Sequence, residues 1–134
     1  MVKLIFLFKR RQGTTVEQFR EYYEKRHTAL ALRLLPFFKD YRRNYIRHDL
    51  NFDAGAGTHN PLPDFDVMTE VTFESRSAYD RMAKTMGDPS ISEQIFGDEE
   101  RFMDRSASVF FFVDEEVTPH HELTGLASTG ANTP

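Results

Sequence analysis

The chain has 134 residues, 40% apolar and 28% charged, the balance of an ordinary globular protein of one domain. Its formal charge is −4 and its basic residues are scattered apart from Lys9-Arg10-Arg11 and Arg42-Arg43, whereas a nucleic-acid surface needs clustered cations. There is no Cys, which excludes disulfides, thiolate metal sites and cysteine nucleophiles and fits the cytoplasm; no apolar run reaches the roughly 18–20 residues of a membrane span.

Residues 2–9 (VKLIFLFK) predict a strand apolar on both faces, hence buried on both, with Val2, Leu4, Phe6 and Phe8 on one side and Ile5 and Leu7 on the other. Gly13 marks a turn, and Thr14 with Glu17 three residues on reads as a capping box. The helix it opens runs to about residue 35 and is stopped by Pro36. Its apolar stripe is Val16, Phe19, Tyr23, His27, Leu30 and Leu34, one helix face. His27 therefore sits inside an apolar stripe, where a polar group without a partner costs about 1–3 kcal/mol.

Residues 39–48 predict a half-exposed second strand carrying Tyr41, Arg43, Tyr45 and Arg47 on one face. Residues 49–64, with Gly55, Gly57, Asn60, Pro61 and Pro63, form the longest irregular stretch, of the kind that is usually functional or mobile. Residues 65–74 predict a third strand, with Phe65, Val67, Val71 and Phe73 on one face and Asp66, Met68, Glu70, Thr72 and Glu74 on the other. Ser75 caps a second helix with the stripe Ala78, Tyr79, Met82, Ala83 and Met86. A third helical segment over 90–103 is interrupted by Gly97, and 106–113 (SASVFFFV) predict a fourth strand. Residues 1–116 thus make one domain, and 117–134 have few anchors and read as an arm or disordered tail.

The order β-α-β-β-α-(α)-β matches an α+β, ferredoxin-like fold: one four-stranded antiparallel sheet with helices on one face. Because the first and fourth strands are apolar on both sides, the second sheet face must also be covered. Pairing of two chains through their sheets, a homodimer, is the simplest cover.

In Tyr22-Tyr23-x-x-x-His27-x-x-Leu30, then Phe65-Asp66 with Glu70 and Phe73, then Asp88-Pro89, Asp98-Glu99, Phe102 and Asp104, then Phe112-Val113-x-Glu115, the chain resembles the EthD-like branch of the dimeric α/β-barrel superfamily. The resemblance covers about residues 1–116; Ala29 stands where members often carry Pro, and His48 is displaced by one from an expected His. It implies a dimeric α/β barrel with a pocket between sheet and helices in each subunit. It further implies a cofactor-free enzyme that decarboxylates, dehydrates, isomerises or cyclises an aromatic or polyketide-type substrate.

His27 is the first candidate for general acid/base chemistry, since an imidazole titrates near neutral pH. The alternative is a core histidine bonded to a strand carbonyl or carboxylate. Tyr23, one turn earlier, could share its proton or a substrate oxygen. Asp66 and Glu70 lie about 13 Å apart along one strand face, too far for a paired-carboxylate site, and would need His27, Arg43 or Arg47 as partner; a dimer-face salt bridge is the alternative. Tyr41, Tyr45 and Phe6 are candidate substrate-binding walls, or plain packing. His48 and His59 flank the long loop and could close over a ligand, while His120-His121 read as solvated. No ligand-spacing motif joins the histidines into a metal site, and Met82, Met86 and Met103 read as core filler. A non-catalytic carrier with the same pocket, and a haem-dependent superfamily member, are the rival readings.

Overall fold

The computed structural model describes residues 1–51, 55 and 60–125. Four strands, β1 (Val2–Arg10), β2 (Asp40–Tyr45), β3 (Val67–Phe73) and β4 (Met103–Val113), form one sheet in the order β2-β3-β1-β4. Every pair is antiparallel. The helices α1 (Val16–Tyr22), α2 (Thr28–Leu34), α3 (Arg76–Met86) and α4 (Pro89–Glu99) complete the α+β, ferredoxin-like arrangement.

Strand alternation sorts the sheet into two faces. Leu4, Phe6 and Phe8 of β1 share a face with Val67, Thr69, Val71 and Phe73 of β3, and this face meets the helices. The outer face carries Ile5 and Leu7 of β1, Met68 of β3, and Val109 and Phe111 of β4, with the polar set Lys3, Glu70, Arg42 and Asn44 toward the β2 side. The first and fourth strands are therefore apolar on both faces, as their sequences require. Leu7 pairs with Val109 but Lys9 with Asp104, so β4 bulges between these pairs and bends around the sheet edge.

Between α1 and α2 the helix does not stay α. Tyr23–His27 form one π-helical turn, closed by the Thr28 N–H donating to the Tyr23 carbonyl and by Thr28 Oγ1 donating to the same oxygen at 2.8 Å. The buried line is Phe19, Tyr23, His27, Ala31 and Leu35, all steps of four. Four such steps overrun a 3.6-residue period by about 1.6 residues, and the single residue a π turn inserts absorbs most of that. The expected stripe through Leu30 and Leu34 is corrected accordingly: both are half-buried, and Val16 is exposed.

Several boundaries also differ from expectation, β2 and β3 being shorter than residues 39–48 and 65–74. The capping box is Thr15 with Gln18, because the Thr14 hydroxyl is used to donate back to the Arg11 carbonyl at 2.6 Å. Gly13, at φ 86°, makes the turn before it. The third helix starts at Pro89, capped by Asp88, runs through Gly97 and stops at Glu99, so Met103 opens β4 rather than closing a helix. Residues 120–125 form a short helical turn in which His120 and His121 are exposed. Among the described residues no helix is long and apolar enough to cross a membrane.

Candidate active site

The sheet's inner face and the helices leave a cavity of about 330 Å³, within the range of small-molecule sites. Its walls are largely apolar. Leu4, Phe6, Phe8 and Phe110 come from the sheet, Ala31 and Leu35 from α2, and Met82 and Met86 from α3. Of the methionines expected as core filler, Met103 is core, Met82 packs against the core and also lines the cavity, and Met86 lines the cavity. The wall residues that carry polar groups are Tyr23, His27, Tyr41 and Tyr79.

Tyr23 is fully buried, and its hydroxyl lies 2.8 Å from Thr69 Oγ1 while accepting a bond from the Tyr41 hydroxyl at 3.2 Å. Burial pushes the Tyr23 phenol well above its ordinary range and raises that of Tyr41, so both are neutral donors at physiological pH. Outside them, the Arg43 guanidinium stacks 4.7 Å from the Tyr41 ring centroid and clamps Glu24 through two bonds of 2.9 and 2.7 Å. Tyr45 donates to the same carboxylate at 2.5 Å and packs on Phe19. Tyr45 therefore braces the pocket from behind, whereas Tyr41 lines it.

His27, 3% exposed, packs between the rings of Tyr23 and Phe102 at 5.6 and 5.0 Å. Its Nδ1 lies 2.9 Å from Asp98 Oδ2, and the other Asp98 oxygen accepts from the Tyr22 hydroxyl at 2.6 Å. A carboxylate only accepts, so Nδ1 carries the proton and Nε2 holds the lone pair. Nε2 lies 3.7 Å from Glu99 Oε2, beyond hydrogen-bond range, and makes no hydrogen bond among the described residues. No fully enclosed side-chain nitrogen or oxygen among the described residues lacks a partner, so Nε2 is not sealed off, and the ring itself forms part of the cavity wall. Burial lowers the His27 pKa against the opposing pull of Asp98, which keeps the ring neutral at pH 7. Burial also pushes the Glu99 carboxyl up to about 7, against the Arg105 guanidinium, whose Nε donates to Glu99 Oε1 at 3.2 Å. An open, neutral Nε2 of fixed tautomer is what a general base requires.

The carboxylates expected opposite His27 lie elsewhere. Glu70 alternates with Thr69 along β3 and so faces outward, 2.9 Å from Lys3 and 2.9 Å from the Asn44 amide; the salt-bridge alternative fits its position. Asp66 is buried at the start of β3, accepts from the Arg10 backbone N–H at 2.7 Å, and lies on a separate polar cleft of about 780 Å³. His48 lines that cleft too, its Nε2 2.9 Å from the Phe65 carbonyl. Arg43 and Arg47 pair with Glu24 and Asp49. His59 lies outside the described residues. Among the described residues no group of His, Asp and Glu is placed to hold a metal ion.

Three residues of the site, Thr69, Asp98 and Glu99, are not among the site candidates that the sequence offers. Thr69 reads as a mere gap in the apolar alternation of β3, although position parity puts it on the inner face. Asp98 and Glu99 stand in the EthD-like pattern, but their reach to His27 depends on α4 continuing through Gly97.

Comparison with known proteins places these features in a family. A family model described as EthD domain matches residues 11–106 of the 134. An ethyl tert-butyl ether degradation (EthD) family protein from Bacillus halodurans is similar in structure with TM-score 0.58 and 21% identity, over 87% of this chain and 99% of that one. An EthD-like protein from Ralstonia eutropha gives TM-score 0.60 and 19% identity over 90% and 96%. SnoaB, a cofactor-independent oxygenase from Streptomyces nogalater, gives 0.53 and 13% over 89% and 96%. No curated protein sequence matches the chain. With the family match spanning well over half of its length, the chain belongs to the EthD family.

Proposed function

We propose that the protein is a cofactor-free small-molecule enzyme in which His27 moves a proton on an oxygenated aromatic or polyketide-type ligand. The observation that carries this is the His27 ring on the wall of an apolar cavity, with Asp98 holding Nδ1–H and Nε2 making no hydrogen bond among the described residues. In this reading the apolar and aromatic walls take the ligand's rings. The Tyr41 hydroxyl, turning from Tyr23 to the ligand, donates to a carbonyl or hydroxyl oxygen there and stabilises negative charge as His27 removes an acidic proton, with Tyr23 and Thr69 behind it. Such chemistry serves isomerisation, dehydration, cyclisation or decarboxylation alike. Fold similarity to a cofactor-independent oxygenase supports small-molecule chemistry on this scaffold without selecting among reactions.

The same reading includes a homodimer. A similar structure from Bacteroides fragilis, TM-score 0.50, is described as a dimeric protein of ferredoxin-like fold. The outer face of this sheet supports pairing through Val109 and Phe111, 41% and 39% exposed, beside half-buried Leu7.

The test is turnover of a panel of hydroxylated aromatic and polyketide-type compounds by wild type and His27→Gln, followed by mass spectrometry. A folded His27→Gln protein is expected to lose about 10²–10⁴-fold in kcat/KM. Turnover at the wild-type rate would overturn the assignment. Tight retention of unaltered ligand by the wild type, with no product, would make it a carrier.

A further inference from the structure

Asp98 and Glu99 are consecutive residues of the last turn of α4, and successive helix residues project about 100° apart. One helix end thereby reaches both nitrogens of one imidazole. The placement runs against local preference. The C-terminal turn of a helix disfavours carboxylates, that of α4 contains no basic residue, and Glu99 is only 7% exposed. Propensity violated at both positions, beside a buried ring, marks a site rather than a scaffold.

The two carboxylates are built differently. Asp98 is saturated: one oxygen accepts from Tyr22 and the other from His27. Glu99 has one oxygen on Arg105 of β4, and its other oxygen, 3.7 Å from Nε2, accepts no hydrogen bond among the described residues. Arg105 in turn lies 3.9 Å from the exposed Glu100 and stacks 4.1 Å from the Phe96 ring centroid, so it links Glu99 to the surface. The aromatic rings packed on it, Tyr23 and Phe102, are uncharged, and Arg101 acts on Tyr22.

We infer that Glu99 is the proton-exchange partner of His27, and that Asp98 is the positioning residue that fixes which nitrogen takes part. The inference rests on His27 as the proton-transfer group. Nε2 takes a proton from an acidic C–H or O–H of the ligand, which keeps the electron pair as an enolate or phenolate. The new N–H bond then breaks as an O–H bond forms at Glu99 Oε2, leaving a neutral ring and a neutral carboxylic acid. The reverse transfer returns the proton to the ligand at its new position, or Glu99 releases it past Arg105 to solvent. The 3.7 Å gap closes by rotation of the glutamate side chain. A carboxyl that titrates near 7 exchanges with imidazole in either direction at neutral pH.

The experiment is a pH titration of the ligand-free full chain labelled with ¹⁵N-histidine. The His27 signals are assigned by their absence in His27→Gln among the five histidines. The wild-type Nε2 resonance is expected to step near pH 7 as Glu99 ionises. Glu99→Gln is expected to lose this step while keeping the Nδ1–H tautomer, and Glu99→Asp is expected to keep a step at a shifted pH. A step that persists unchanged in Glu99→Gln, or is absent from the folded wild type, overturns the inference. The readout needs no substrate, so it is separable from the function itself. Loss of turnover in His27→Gln with no Glu99-dependent step sinks the exchange alone. Full turnover in His27→Gln sinks the proton-transfer role of His27 whatever the titration shows.

Discussion

The Tyr23 hydroxyl and Thr69 Oγ1, 2.8 Å apart and both on fully buried residues, tie the π-helical turn to the central strand β3. Tyr41 is the only other partner this pair has among the described residues. Thr69→Val keeps the shape but leaves the Tyr23 proton without its nearest acceptor, at a cost of about 1–3 kcal/mol. Tyr23→Phe removes the other end at a similar cost. Because each single change strands the same bond, the double variant is expected to cost less than the two added together. Urea unfolding of the four proteins measures this, and strict additivity would show the pair to be energetically uncoupled.

Asp98 fixes the His27 tautomer because a carboxylate can only accept. In Asp98→Asn the Tyr22 hydroxyl keeps the amide oxygen, which turns the amide N–H₂ toward Nδ1. Nδ1 must then accept, and the proton moves to Nε2, the nitrogen proposed to take the ligand's proton. The variant is expected to fold normally, show an Nε2–H tautomer by ¹⁵N spectroscopy, and lose about 10²–10⁴-fold in turnover. Retention of the Nδ1–H tautomer would show that Asp98 does not govern it.

Much of this arrangement can be read from residue order, and the remainder has physical reasons for staying hidden. Burial of His27 and Tyr23 on one helix face follows from spacing alone, and the two-sided apolarity of β1 and β4 follows from their composition. The π turn has no signature in composition; it resolves a mismatch between a four-residue stripe and the α-helical period. The carboxylate partners of His27 were expected on the third strand because Asp66 and Glu70 are the acids there. Parity with buried Thr69 turns Glu70 outward to Lys3, and Asp66 is taken up by the Arg10 backbone. Which acid meets a buried ring is decided by where a distant helix ends, and α4 ends at Glu99.

The Glu99 carboxyl, at about 7 in the folded chain against an ordinary 4.5, makes stability depend on pH. Below pH 4.5 it is protonated in both folded and unfolded chains. Between the two values only the folded chain holds the proton. Its contribution is therefore full at acid pH and is lost as pH rises through about 7, amounting to about 3 kcal/mol. His27, lowered by burial, acts in the opposite sense: its contribution grows as pH rises toward 6.5. Glu99→Gln removes the first effect alone. Between pH 4.5 and 8 the variant is expected to gain about 3 kcal/mol on the wild type, and its own stability is expected to rise from pH 5 to 7. Parallel stability curves for the two proteins would contradict the buried, protonated Glu99.

Phe110 and Phe111 are adjacent on β4 and so point to opposite faces of the sheet. Phe110 packs on Phe6 at 5.1 Å and lines the cavity, whereas Phe111 pairs with Ile5 on the outer face. Consecutive residues therefore separate the ligand site from the proposed dimer face. Phe111→Glu sets a carboxylate among Ile5, Leu7 and Val109, and in a sheet-to-sheet dimer that charge is buried without a cation. The variant is expected to sediment as a monomer with unchanged far-ultraviolet circular dichroism. Phe110→Ser is expected to remain dimeric and to weaken binding of aromatic ligands. Truncating Phe110 on the cavity wall costs ligand affinity and leaves the dimer face intact, whereas an unpaired buried charge at Phe111 abolishes association, so the two variants differ in kind. Dimeric sedimentation of Phe111→Glu at micromolar concentration would place the interface elsewhere on the molecule.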